Sequence, residues 1–178
     1  MIKQSHEPVI RLSQLSNGLH EFRFAPAASE IGLGGNFLDK VTVTVALEKG
    51  NRQLYLKVAI GARGVFQCDR CVEEFERKLS TGYTAFYVYD ELDAGKYTEN
   101  DVKIITPDTL QLDLTEDICE SAMLAVPLKL LCNERCKGLC PHCGANWNRQ
   151  NCMCEKDDVG DPRWDALKNF LDNKTLKE

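Results

Sequence analysis

Six cysteines lie within the 23 residues from Cys132 to Cys154. The same segment holds few apolar residues beyond Leu139, Trp147 and Met153. A stretch that cannot bury a core of its own needs another source of folding energy, and a metal is the usual one. Cys140-Pro141-His142-Cys143-Gly144 presents two thiols at C-x-x-C separation, a spacing that grips one tetrahedral ion from a tight turn. Gly144 suits the positive backbone φ that such a turn needs. Cys152 and Cys154 would complete a four-thiolate site. Cys132 and Cys136, at C-x-x-x-C separation, compete for the same role, so which four share an ion stays open, as does a two-metal cluster with shared thiolates. Zinc is the expected ion because four-thiolate structural sites commonly hold it, although spacing alone does not distinguish an iron–sulfur cluster.

Three further cysteines lie upstream. Cys68-Asp69-Arg70-Cys71 sits between two predicted strands. As a pair it supplies half a site, to be completed by Cys132 and Cys136 or by a partner; the alternative is a buried, reduced pair at a strand turn. Cys119 stands alone in a predicted helix and reads as core. The total of nine is odd, so the cysteines cannot all pair within one molecule. The N-terminal MIKQSHEPVIR lacks the apolar stretch of a signal peptide, and no run approaches the roughly 20 apolar residues that span a bilayer. A cytoplasmic protein without membrane contact is expected, in which clustered cysteines bind metal or do redox work.

The redox alternative rests on Cys140 and Cys143, because Cys-Pro-His-Cys also serves thiol oxidants. There the motif follows a strand and opens a helix whose N-terminus lowers the first thiol's pKa. Gly144 and Asn146 follow it here, which does not suit a helix. His6, His20 and His142 stand at no catalytic spacing, and the chain carries no Ser/His/Asp signature, HExxH or phosphate loop. The expectation is a protein that is not an enzyme.

The net charge of −5 argues against a general nucleic-acid clamp, and DNA is not an expected partner. The charge is nevertheless unevenly spread. From Asp90 to Glu120 ten acidic residues stand against two lysines, whereas from Lys129 to Arg149 four basic residues stand against Glu134. Lys129, Arg135, Lys137 and Arg149 are therefore the candidates for contact with RNA phosphates. Each one singly also reads as ordinary solubilising charge.

The clearest periodicity lies in the middle of the chain. Val41, Val43, Val45 and Leu47 alternate with polar or small residues, as do Leu54, Leu56, Val58 and Ile60. Period two predicts strands with one buried face, joined through Lys49-Gly50-Asn51. Further short strands are predicted over 19–25, 63–67, 74–80 and 83–89, and a polar loop over 90–108. Asp113 and Glu116 mark a helix start, followed by Leu114, Ile118, Ala122 and Ala125 at helical spacing. A terminal helix is predicted from Asp161-Pro162, with Trp164, Leu167 and Leu171 along one side. The expected fold is α+β: an antiparallel, barrel-like β domain over 1–108, a helix within 109–128, and a zinc-binding cysteine-rich segment with a terminal helix over 129–178.

Three segments together resemble the YceD family: Cys68-Asp69-Arg70-Cys71, the run Cys136-Lys137-Gly138-Leu139-Cys140-Pro141-His142-Cys143-Gly144-Ala145-Asn146, and Asp161-Pro162-Arg163-Trp164-Asp165-Ala166-Leu167. The similarity runs from roughly residue 40 to 172. It implies a role in the accumulation or processing of 23S rRNA during large-subunit biogenesis. The implied partner is 23S rRNA or a large-subunit ribosomal protein. It carries over no catalytic residue. The rival readings are a zinc-stabilised protein–protein adaptor that never touches RNA, and the thiol redox protein already considered.

Overall fold

The computed structural model describes residues 4–5, 7–90, 102–154 and 163. Two compact units divide the chain, Met1–Cys136 and Lys137–Glu178.

The first unit is built on three long strands: β4 (Phe37–Lys49), β5 (Gln53–Gln67) and β6 (Glu74–Val88). They form an antiparallel meander in unbroken register from Gln53↔Val88 to Gln67↔Glu74 along the β5–β6 ladder. The predicted turn at Lys49–Asn51 closes β4 onto β5, with the Gly50 N–H on the Gln53 carbonyl at 2.9 Å. β3 (Gly18–Phe24) pairs antiparallel with β4, and β1 (Gln4–Ser5) and β7 (Val102–Ile104) add short parallel edges to β3 and β6. The six-stranded order is β1-β3-β4-β5-β6-β7.

The alternating residues decide which face is covered. Val41, Val43, Val45 and Leu47 of β4 and Leu54, Leu56, Val58 and Ile60 of β5 are all buried, while Thr42, Thr44 and Lys57 between them are exposed. Over the buried face lie α1 (Thr115–Leu124) and a two-stranded ladder of β2 (Val9–Arg11) and β8 (Gln111–Asp113). Ile10, Leu112, Leu114, Ile118 and Ala122 are their contributions to the shared core. Asp113 ends β8 two residues before the helix, and its Oδ1 accepts from the Thr115 N–H at 2.9 Å, at the first helical residue.

The α+β expectation is corrected by this architecture. The first unit is mostly β, and α1 is the one α-helix among the described residues. The barrel-like antiparallel domain is likewise replaced by a sheet with a parallel pair at each edge and a second, two-stranded sheet. Two physical reasons account for the difference. Runs that read as separate short strands fuse, because Gly61 and Gly82 continue the ladder instead of breaking it. A Cβ at Gly82 would stand 2.4 Å from the Val58 carbonyl oxygen, so its glycine permits a close backbone approach inside one strand. The segment before α1 also extends into β8, leaving a ten-residue helix. The terminal helix predicted from Asp161, with Trp164, Leu167 and Leu171, lies outside the described residues apart from Arg163.

Candidate metal centres

At the end of β5 the chain turns through Cys68–Cys71 before β6 begins. The Val72 N–H donates to the Cys68 carbonyl at 2.9 Å, and the Cys68 N–H donates to the Glu73 carbonyl at 2.9 Å. The second unit repeats this pattern residue for residue. The Gly144 N–H donates to the Cys140 carbonyl at 2.9 Å, and the Cys140 N–H donates to the Ala145 carbonyl at 2.8 Å. The residue after the second cysteine takes a left-handed backbone in both turns, at φ 59° for Val72 and 71° for Gly144. Glycine accepts that conformation readily, whereas a β-branched residue is strained there. Both turns therefore direct two thiols to one side of a narrow loop.

Each turn meets a second pair of cysteines. In the first unit Cys132 and Cys136 join Cys68 and Cys71; in the second Cys152 and Cys154 join Cys140 and Cys143. Within each set all four sulfurs lie within 4.8 Å of one another. Cys132 and Cys136 thus pair with the turn at Cys68, and not with Cys140 and Cys143. The Cys68–Cys136 and Cys71–Cys132 sulfur separations are 3.9 and 3.6 Å. A disulfide would need about 2 Å. Four thiolates around zinc, each at about 2.3 Å in a tetrahedron, would stand about 3.8 Å apart. The donor set therefore fits a metal ion of that kind, and none of the nine cysteines is in a disulfide.

Electrostatics within each set follows from crowding. Desolvation pushes the Cys68 thiol up, but hydrogen bonds from the backbone of Cys132, Cys71 and Arg70 outweigh it and hold the pKa down at about 6. The Cys152 thiol is likewise brought to about 6, first by the Trp147 indole N–H, which lies 3.2 Å from its sulfur. Cys154 is pushed up to about 12 by the Cys143 thiol beside it, by desolvation and by Cys140. Four thiols this close cannot all ionise unaided, and a divalent cation reverses that logic.

The second centre rests on a small hairpin. The Trp147 N–H donates to the Gly138 carbonyl at 3.0 Å and Leu139 bridges Asn146, so the C-x-x-C turn forms the tip. Asn146 then accepts the N–H groups of Arg149 and Gln150 on its carbonyl, a turn that returns the chain towards Cys152. No helix opens at Cys140 among the described residues, so the setting that would activate a thioredoxin-type thiol is not found at this motif.

The four basic candidates fall in both units. Lys129 and Arg135 are exposed in the first, Lys137 and Arg149 in the second. Arg77 and Lys78 of β6, not among the sequence candidates, line a groove of about 390 Å³ with Lys129 and Cys132, and Glu76 and Glu134 line it too. Their signal was hidden by the alternating strand pattern, which reads such residues as solvent-facing charge. His20 contacts the Ser16 carbonyl at 2.8 Å, and His142 is exposed beside the second centre. His6 lies outside the described residues. Cys119 packs partly buried against the core, as a structural thiol would. No helix among the described residues is long and apolar enough to cross a membrane.

Comparison with known proteins adds a second line of observation. The family model described as Large ribosomal RNA subunit accumulation protein YceD matches residues 56–171. An uncharacterized protein of Mycobacterium tuberculosis is 26% identical over 157 residues, covering 86% of this chain and 73% of its own length. A Zea mays protein named Large ribosomal RNA subunit accumulation protein YCED homolog 1, chloroplastic, is 26% identical over 167 residues, covering 74% of this chain and 57% of its own. Its Arabidopsis thaliana namesake is 29% identical over 72 residues, covering 40% of this chain and 22% of its own. No solved structure matches the chain.

Proposed function

The chain belongs to the YceD family, described as large ribosomal RNA subunit accumulation proteins, and we propose on that footing that it is a non-enzymatic accessory factor in large-subunit biogenesis. It supports the accumulation or processing of 23S rRNA in the cytoplasm, through contact with that RNA or with an assembling ribosomal protein. The observation that carries this reading is the family match, whose span includes every cysteine of both four-thiol sets. Both sets hold zinc in this reading. Cys68, Cys71, Cys132 and Cys136 are the ligands in the first unit, and Cys140, Cys143, Cys152 and Cys154 in the second. Zinc bound by four thiolates has no open coordination position, so its part is to hold the surrounding chain in place.

Long-range electrostatics sets the expected mode of binding. A chain of net charge −5 is repelled by RNA at a distance, so affinity for bare RNA is modest. Binding then depends on local basic side chains and on RNA shape, or on a protein already present on the particle. Lys129, Arg135, Lys137 and Arg149 are the candidate contacts. Depleting the protein from cells tests the reading: mature 23S rRNA and free large subunits should fall relative to small subunits. Charge reversal at Lys137 and Arg149 together should reproduce part of that defect with metal content unchanged. Normal 23S rRNA and normal subunit ratios after full depletion would remove the ribosomal reading and leave a protein–protein adaptor.

A further inference from the structure

The two residues between Cys68 and Cys71 are more than spacers. The Asp69 N–H donates to the Leu130 carbonyl at 2.8 Å. The Leu130 N–H in turn donates to Asp69 Oδ2 at 2.6 Å, closing a ring between the two segments. One guanidinium nitrogen of Arg70, Nη1, donates to the Glu134 carbonyl at 3.1 Å and to the Cys136 carbonyl at 2.8 Å. Four hydrogen bonds thus fasten the turn of the first cysteine pair to the segment that carries the second. None of them involves a sulfur, and all of them can form without an ion. At the matching positions of the second centre stand Pro141, which has no N–H to donate, and the exposed His142.

We infer that Asp69 and Arg70 are positioning residues that bring Cys132 and Cys136 to Cys68 and Cys71 before metal arrives, so that the first centre binds its ion as a preformed site. The inference rests on the reading of these four thiols as ligands. A preformed site spares the ion the entropy of gathering ligands separated by about sixty residues, an advantage that appears as affinity. The charged Arg70 donor on two backbone carbonyls is the stronger part. Groups that orient metal ligands typically contribute about 10–100-fold in affinity.

The test uses the full chain, stripped of metal and titrated with zinc against a chelator of known affinity. Two binding steps are expected, and Cys71→Ser identifies the first centre by abolishing one of them. Arg70→Gln and Asp69→Ala should each weaken that step by about 10–100-fold and leave the other step unchanged. In metal-free protein, the hydrogen-bonded amides of Leu130, Arg135 and Cys136 should exchange more slowly in the wild type than in Arg70→Gln, while β4 and β5 stay protected in both. Both side chains lie on exposed residues, so these variants leave the sheet core intact. Equal affinity and equal exchange in wild type and Arg70→Gln would overturn the inference. A wild type with no step that Cys71→Ser removes would instead overturn the metal reading itself.

Discussion

Removal of metal should divide the molecule by stability. Among the described residues that are buried and apolar, Cys140 is the one between 137 and 154. Leu139 and Trp147 are half-buried, and Met153 is fully exposed. Two half-buried side chains contribute about 3 kcal/mol between them. A structural zinc ion contributes roughly 10–16 kcal/mol at neutral pH. The hairpin of the second centre therefore depends on its ion, whereas the first unit retains a core of Val41, Val43, Val45, Leu47, Leu54, Leu56 and their neighbours without one. Chelator treatment, or Cys143→Ser, should expose residues 137–154 to protease and to rapid amide exchange while β4, β5 and β6 stay protected. Adding zinc back should restore the wild type but not the variant. Elemental analysis must accompany the digestion. If residues 137–154 stayed resistant in protein shown to hold no metal, local packing would be sufficient and the reasoning would fail.

Purified protein should carry two zinc ions per chain, and Cys71→Ser or Cys143→Ser should each lower the count by one, as elemental analysis or native mass spectrometry would show. Acid should release the metal. A thiol whose folded pKa lies below the free value of about 8.5 contributes stability at high pH that is lost as pH falls through the folded value. In metal-free protein Cys68 and Cys152 lie at about 6, so the stability that their ionised forms contribute is full above about 8.5 and lost as pH falls to about 6; protons compete with the ion for every ligand thiolate, so metal retention should fall as pH is lowered, read by a chromogenic chelator. Leu47→Ala, at a fully buried position of a central strand, should cost about 2–5 kcal/mol and lower the melting temperature without changing the metal content. Gly82→Ala should destabilise the sheet by about 1–3 kcal/mol, because its new methyl would collide with the Val58 carbonyl.

Much of the first unit was legible from residue order because its causes are local. Alternation along Val41–Leu47 and Leu54–Ile60 is a property of neighbours two apart, and it correctly marked the buried face. The helix start after Asp113 and the positive φ of Gly144 are likewise set within a few residues. Strand length was misread because Gly61 and Gly82 weaken a strand pattern locally, while the pairing that carries them through comes from the neighbouring strands. The short ladder of Val9–Arg11 with Gln111–Asp113 left no signal at all, since its partners are about a hundred residues apart.

The cysteine sites divide along the same line. Sequence alone pointed to a meeting of the thiols clustered in 132–154, with the turn at Cys140 presenting two of them, because a turn of four residues encodes its own geometry; for Cys68 and Cys71 it left a buried, reduced pair equally open. It left open whether Cys132 and Cys136 would join Cys140 or Cys68. Only the tertiary structure decided that, by closing a loop of about sixty residues between Cys71 and Cys132 and fastening it through Asp69 and Arg70. The cost of closing a loop grows only slowly with its length, so spacing along the chain ranks distant partners poorly. The choice falls to the hydrogen bonds and packing at the point where the two segments meet.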